Sequence, residues 1–506
     1  MAKFLRMKQL YIAITSLMAL LVMGSCNNSH EVLYAINVKD STLCTHHEQE
    51  VEMTYVVHEA VANSETQFTV RCADAWATVV DCSTIGTVRI KVDENVGETR
   101  TTTITISAPG CRSAKTKLTQ YSTPPEVSNH TLMFYFFGTS LNRFFQTNIE
   151  DAKAAIEMGT LGNSNRIIIF RQDNANRGHI SELCFDNNGG ECIESIIVDN
   201  IALNEEVISP ETIGSHIAHM ANIAPAERYG IIFAGHGQGW ITRDILNNDS
   251  DISALSVEYN PWIPAPGAEV TRAFGEKNVR VNIDELAEGI AKSGVALDYI
   301  LFDACFMSNI EAIYELRNSA NHIIASPCEI MGRGFPYHRT LPYLFRDEGK
   351  SSDLEGAAES YYKFYKDEYI GSTRCGSICL YDCAEIEALA KATRNVCRSA
   401  KGKDEYDIRT LQTYEGMHTH CFYDFGEWVN VVATDDSLLE VFNDQLERCV
   451  VASFSLNTFY SAYGGSGTFP INLDVYSGVT TSAPSRAYPN GWRTTNWYKD
   501  VIELEN

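Results

Sequence analysis

The chain has 506 residues, too long for one compact core, so two or more domains are expected. Its apolar fraction of 44% is that of an ordinary globular protein, and a net charge of −25 argues against the basic face that nucleic-acid binding needs. An acidic surface favours cationic partners, although a diffuse one mainly serves solubility.

The first 26 residues read as a targeting segment. Lys3, Arg6 and Lys8 form a positive start, and Tyr11–Met23 is an apolar run too short to span a membrane as a stable helix. The run ends Val22-Met23-Gly24-Ser25-Cys26, which resembles a bacterial lipobox and implies that Cys26 becomes the lipidated N-terminus. A plain signal peptide or a membrane anchor is the alternative. The expected location is the cell envelope of a Gram-negative bacterium, as an outer-membrane lipoprotein held to the membrane through Cys26. No other run of ~18 apolar residues appears, so no second span is expected.

After a polar tether (26–37), residues 38–122 are rich in Thr and Val and broken at short intervals by turns, the pattern of a β-sandwich. Trp76, Asn95, Gly97, Arg100 and Gln120 stand in a run that resembles the BACON-type immunoglobulin-like module. That resemblance implies a spacer, with glycan binding as the other reading. Residues 123–130, with Pro124-Pro125, form a stiffened linker.

From Thr131 onward strands and helices alternate, as a parallel sheet requires. Strands are predicted at 131–137 and 166–170, with a helix over 147–159 between them. A turn-rich excursion to Ser195 and a helix over Pro210–Ile223 follow. The apolar strand Tyr229–Ala234 then runs into Gly235-His236-Gly237, and the apolar strand Tyr299–Asp303 runs into Ala304-Cys305. Ligands and chemistry collect at the carboxyl ends of such strands. Side by side, the two would bring His236 to Cys305, the arrangement for thiolate catalysis. A helix from Asn309 would set its N-terminus near the thiol. The helix Asn282–Ser293 leads back to the cysteine strand, and helices ending at Cys397 and spanning Ser437–Ser453 are predicted beyond it.

Cysteine pairing is open in the sequence: Cys184 and Cys192 flank a turn and are placed to bridge a hairpin, but buried thiols are the default. Cys375, Cys379 and Cys383 match no zinc-site spacing.

AGHGQGW (234–240) and LFDACFMSNIEAIYEL (301–316), as an ordered pair, resemble the histidine and cysteine boxes of the clostripain family of cysteine peptidases, with the likeness running from about Thr131 to the C-terminus. The fold class implied is multidomain. An N-terminal all-β immunoglobulin-like sandwich is followed by an α/β caspase-like domain (131–375), a mostly parallel sheet flanked by helices. Residues 376–506 form a C-terminal extension of the same unit.

The resemblance implies a secreted, lipid-anchored endopeptidase acting on proteins or peptides. Cys305 is the nucleophile, His236 the proton carrier, and the N–H groups of Gly237 and Cys305 hold the oxyanion. Asp303, two residues before the thiol and so on the same strand face, resembles the pocket floor for Arg or Lys at P1. Arg333 stands where a second acid would strengthen that pocket, and Glu329 is the substitute acid. The segment 242–281 is where the family carries its processing site, making Arg272, Lys277 and Arg280 candidate cleavage positions. No cofactor is required for the chemistry. Calcium enters only through the acidic run Asn247–Asp251, which matches no loop motif. Two rival readings stand beside this one: a catalytically silent glycan- or protein-binding lipoprotein, and a peptidase of this fold with a non-basic P1. An inactive relative would be free to lose His236 or Cys305, and both are present.

Overall fold

Two kinds of strand divide the chain: alternating ones near the N-terminus and continuously apolar ones beyond residue 128. The computed structural model describes residues 33–62, 66–124, 126–162, 164–185, 191–203, 208–243, 262, 264–272, 281–345, 350–400, 406–464, 466–483 and 487–503.

In the N-terminal unit, strands β1 (Tyr34–Val38) to β9 (Ala114–Gln120) form two sheets. Alternation is clear in Thr87–Val92, where Val88, Ile90 and Val92 are fully buried and the residues between them face outward. Strand β1 begins at Tyr34, a few residues before the expected start. Of the five residues singled out in this region, Asn95 is buried, accepts from Gly97 N–H (3.2 Å) and donates to Tyr121 O (2.7 Å). Arg100 donates to Gln120 (2.9 Å).

The second unit is built on one nine-stranded sheet. Its centre is five parallel strands in the order β11 (Asn165–Asn174), β10 (Ser128–Phe136), β14 (Ala226–Ala234), β16 (Tyr299–Asp303) and β17 (His322–Ala325). These strands are buried on both faces, which is why they read as unbroken apolar runs. Helices α1 (Asn142–Glu157), α2 (Pro210–Ile223) and α3 (Ile283–Ser293) connect them. Their ends are set locally. Ser209 caps α2 with Pro210 in its first turn. Asn282 and Glu285 form a capping box on α3, which stops at left-handed Gly294.

Two expectations need correction. The excursion after residue 170 is an antiparallel hairpin, β12 (Arg177–Cys184) with β13 (Ile193–Ala202), added to the sheet edge. The helix expected to Ser453 ends at Cys449, because the β-branched pair Val450-Val451 opens an edge strand, β21 (Val450–Ser455). That strand pairs with β19 (Ser377–Asp382), which pairs with β17, so the C-terminal residues complete the same sheet. The default of free thiols holds for all 14 cysteines among the described residues, Cys184 and Cys192 included. No helix of the described residues is long and apolar enough to cross a membrane.

Candidate active site

Strands β14 and β16 pair in parallel with Ala234 opposite Asp303. Two residues past that rung, each chain leaves the sheet at the same edge, with His236 on one and Cys305 on the other. Gly237 backs directly onto the Cys305 peptide: a Cβ there would stand 2.1 Å from Cys305 O, so no side chain fits. Ser140 Oγ lies 3.0 Å from His236 Nε2, reaching it from the short turn Thr139–Leu141 after β10. Phe306, next to the thiol, holds a left-handed φ of 58° and is pinned by stacking on Phe422 (4.9 Å).

Cys305 is buried, and its Sγ accepts the Ile330 N–H at 3.2 Å. Burial, then the nearby Glu329 carboxylate, pushes this thiol well above its ordinary range. The expected helix begins at Ile310, and Asn309 caps it by accepting Ala312 N–H.

The cleft is filled by the chain itself. Thr271–Arg272 (β15) pairs antiparallel with Ile330–Met331 (β18), and Gly332 N–H donates to Val270 O at 2.5 Å. The carbonyl oxygen of Arg272 accepts the Cys305 N–H at 2.8 Å. Its fully buried guanidinium meets Asp303 Oδ2 at 2.6 Å and donates to Asn148 Oδ1 at 2.6 Å and to Gly332 O at 3.0 Å. Asp303 also accepts from Tyr337 OH (2.8 Å) and Phe335 N–H (3.2 Å). Burial pushes its carboxyl up, and the Arg272 charge leads the contacts that pull it back. Gly334, at φ 67°, leaves the space: a Cβ there would stand 2.4 Å from Arg272 Cζ.

The remaining sequence candidates fall differently. Glu329, expected as a second acid toward a basic side chain, instead accepts from the Thr271 hydroxyl (2.7 Å) and from Ala462 N–H. Arg333, expected where a second acid would strengthen the pocket, pairs with Asp151 (2.5 Å). Lys277, Arg280, Cys26 and the run Asn247–Asp251 lie outside the described residues. Sequence reasoning missed Ser140, Asn148 and Gly334. Asn148 left a trace, as the one polar member of the buried helical stripe Phe145, Asn148, Ile149, Ala152.

A thiol and an imidazole at adjoining strand ends are the pair of groups that thiolate catalysis uses. Residues 260–500 match the clostripain family (peptidase C11), and the chain is an enzyme similar to the cysteine peptidases of that family. His236 lies before the matched range. Among solved structures, a secreted C11 cysteine protease from Bacteroides thetaiotaomicron, "iotapain", is 28% identical with a TM-score of 0.63, covering 74% of this chain and 100% of its own. An inactive zymogen C11 protease from Parabacteroides distasonis is 26% identical with a TM-score of 0.61, covering 75% and 100%. A secreted C11 cysteine protease from B. thetaiotaomicron in complex with an irreversible peptide inhibitor, 22% identical, shares the fold with a TM-score of 0.59, covering 74% and 99%. No curated protein matches the chain.

Proposed function

We propose that this chain is a secreted, lipid-anchored cysteine endopeptidase that cleaves after arginine through Cys305 and His236, and that its first substrate is its own bond following Arg272. The observation that carries this is the seating of Arg272. Its side chain lies on Asp303 at 2.6 Å while its carbonyl oxygen takes the Cys305 N–H at 2.8 Å, the two contacts a P1 residue must make together.

In this reading His236 takes the proton of the Cys305 thiol, and the sulfur attacks the Arg272 carbonyl carbon. Negative charge develops on the oxygen held by the N–H groups of Cys305 and Gly237. His236, oriented by Ser140, gives its proton to the departing amine, leaving a thioester on Cys305. Water, losing a proton to His236, then releases the acid and restores the thiol. While Arg272 fills the pocket, other substrates are excluded. A relative described as an inactive zymogen, at 26% identity, supports an intact chain that awaits cleavage. The N-terminal strands serve as an immunoglobulin-like spacer, and Cys26 carries the lipid that holds the enzyme at the envelope.

The test uses the chain from Asn27 beside its Cys305→Ala variant. Fragment masses should report a cut after Arg272 only where the thiol is present, and the nicked chain should hydrolyse Arg peptides. An intact wild-type chain that is silent on Arg and Lys peptides would overturn the reading. A cut at Lys277 or Arg280 instead would keep the mechanism and move the processing site.

A further inference from the structure

The P1 pocket accounts for Asp303 but leaves a second buried acid without a task. Glu329 is 2% exposed and lies just before the strand that pairs with Thr271–Arg272. In an extended segment successive side chains point to opposite faces. Arg272 goes to Asp303, and Thr271, itself buried, goes the other way and donates its hydroxyl to Glu329 Oε2 at 2.7 Å. The same carboxylate accepts Ala462 N–H at 3.0 and 3.1 Å, and the Ser461 hydroxyl also bonds it. With Arg272 as P1, Thr271 is P2 by position, and the Val270 carbonyl on Gly332 N–H fixes the strand's register.

We propose that Glu329, with the Ala462 N–H beside it, is a P2 subsite that selects a hydroxyl side chain, threonine above all. The inference rests on the reading of Arg272 as a bound P1 residue, and it names a second element of the substrate. A carboxylate has room for about four hydrogen bonds, and a P2 hydroxyl completes the set already begun by the protein. Valine has threonine's shape without its donor, so it would leave a buried oxygen unmatched, the situation sites discriminate against most strongly. Burial also pushes the Glu329 carboxyl up to about 7. A hydroxyl donates to the ionised form and accepts from the protonated one, so it suits both, whereas a P2 lysine would suit only the first.

The experiment compares acetyl-Val-X-Arg-aminomethylcoumarin peptides with Thr, Ser, Val or Lys at X, using the self-cleaved chain and its Glu329→Ala variant. In the wild type kcat/KM should be about tenfold or more higher for Thr than for Val, with Ser close to Thr. In Glu329→Ala the Thr-to-Val ratio should fall toward one. A ratio within one sample is independent of how much of the variant is folded, and a merely structural Glu329 would not move it. As a second readout, the full chain with Thr271→Val should nick itself about tenfold more slowly than wild type, and Thr271→Ser should not. Equal cleavage of Thr and Val peptides after Arg overturns the subsite and leaves the peptidase reading standing, as does a preference for Lys. Absence of any cut after Arg, in peptides or in the chain, overturns both.

Discussion

The Arg272 guanidinium and the Asp303 carboxylate stand 2.6 Å apart with both side chains wholly buried. Such a pair is held by its geometry, and removing one partner strands the other's charge. In the uncleavable Cys305→Ala background, Asp303→Asn should therefore destabilise the chain by about 3 kcal/mol. Adding Arg272→Met should restore at least half of that loss. Urea unfolding of the three proteins checks it, and additive effects would show that the pair is not coupled.

The same guanidinium is read on two sides, by Asp303 through Nη1 and by Asn148 through Nη2, with Nε on Gly332 O. A lysine ammonium is a point charge and cannot span that fork. Arg peptides should be hydrolysed faster than Lys peptides, and Asn148→Ala should lower kcat/KM for Arg about tenfold while affecting Lys less, one hydrogen bond to a charged group being worth ~1.5–3 kcal/mol. Paired Arg and Lys substrates in wild type and variant measure this, and an unchanged Arg-to-Lys ratio would remove Asn148 from the pocket's selectivity.

Gly334 is the third wall. Its φ of 67° and the 2.4 Å that would separate an added Cβ from Arg272 Cζ mean that alanine there meets both strain and collision. Gly334→Ala should cut hydrolysis of Arg peptides by about two orders of magnitude, since a misplacement of ~1 Å costs that much. The added Cβ would also stand 2.5 Å from Asp303 Oδ1, so thermal unfolding should shift downward as well, and an unchanged rate on Arg peptides would remove Gly334 from the pocket wall.

How much of this was legible in the sequence depends on distance along the chain. The ends of β14 and β16 were readable because each is an apolar strand running into a short chemical signature, and neighbouring parallel strands need only a register to bring His236 and Cys305 to one edge. Arg272 was named as a candidate cleavage position within an irregular segment, but its seat on Asp303 was not readable. Two-residue pairing such as β15 with β18 leaves no periodicity to detect. Glu329 was noticed as an acid and given to the wrong side chain for the same reason: only the extended backbone shows that Thr271 faces it. Of the hairpin β12–β13 only the turn between Cys184 and Cys192 was readable, and β21 hid behind the apolar continuation of the helix before it. Ser140 comes from a strand end nearly a hundred residues before its histidine, so only the assembled sheet brings it near.

Two buried groups away from the site bend stability with pH in opposite directions. His130, held against Tyr299 and Phe345, is pushed down from 6.5 to about 3 by burial, with Arg228 adding to the shift. Above pH 6.5 it is neutral folded or unfolded. Below that, the unfolded chain takes up a proton that the folded one refuses, so stability falls by up to ~1.4 kcal/mol per pH unit down to about 3. Asp424, buried under Tyr414 and Ser477, is pushed up from 3.8 to about 6. Its contribution is complete below pH 3.8 and is lost as pH rises through about 6. Between about pH 4 and 6 the two slopes offset each other, and the single variants expose them. His130→Phe should gain stability over wild type as pH drops from 7 to 5. Asp424→Asn should compare better with wild type at pH 7.5 than at pH 5, whatever its absolute loss. Melting curves at those pH values give the slopes, and parallel profiles for wild type and either variant would mean that its group does not titrate between the two states.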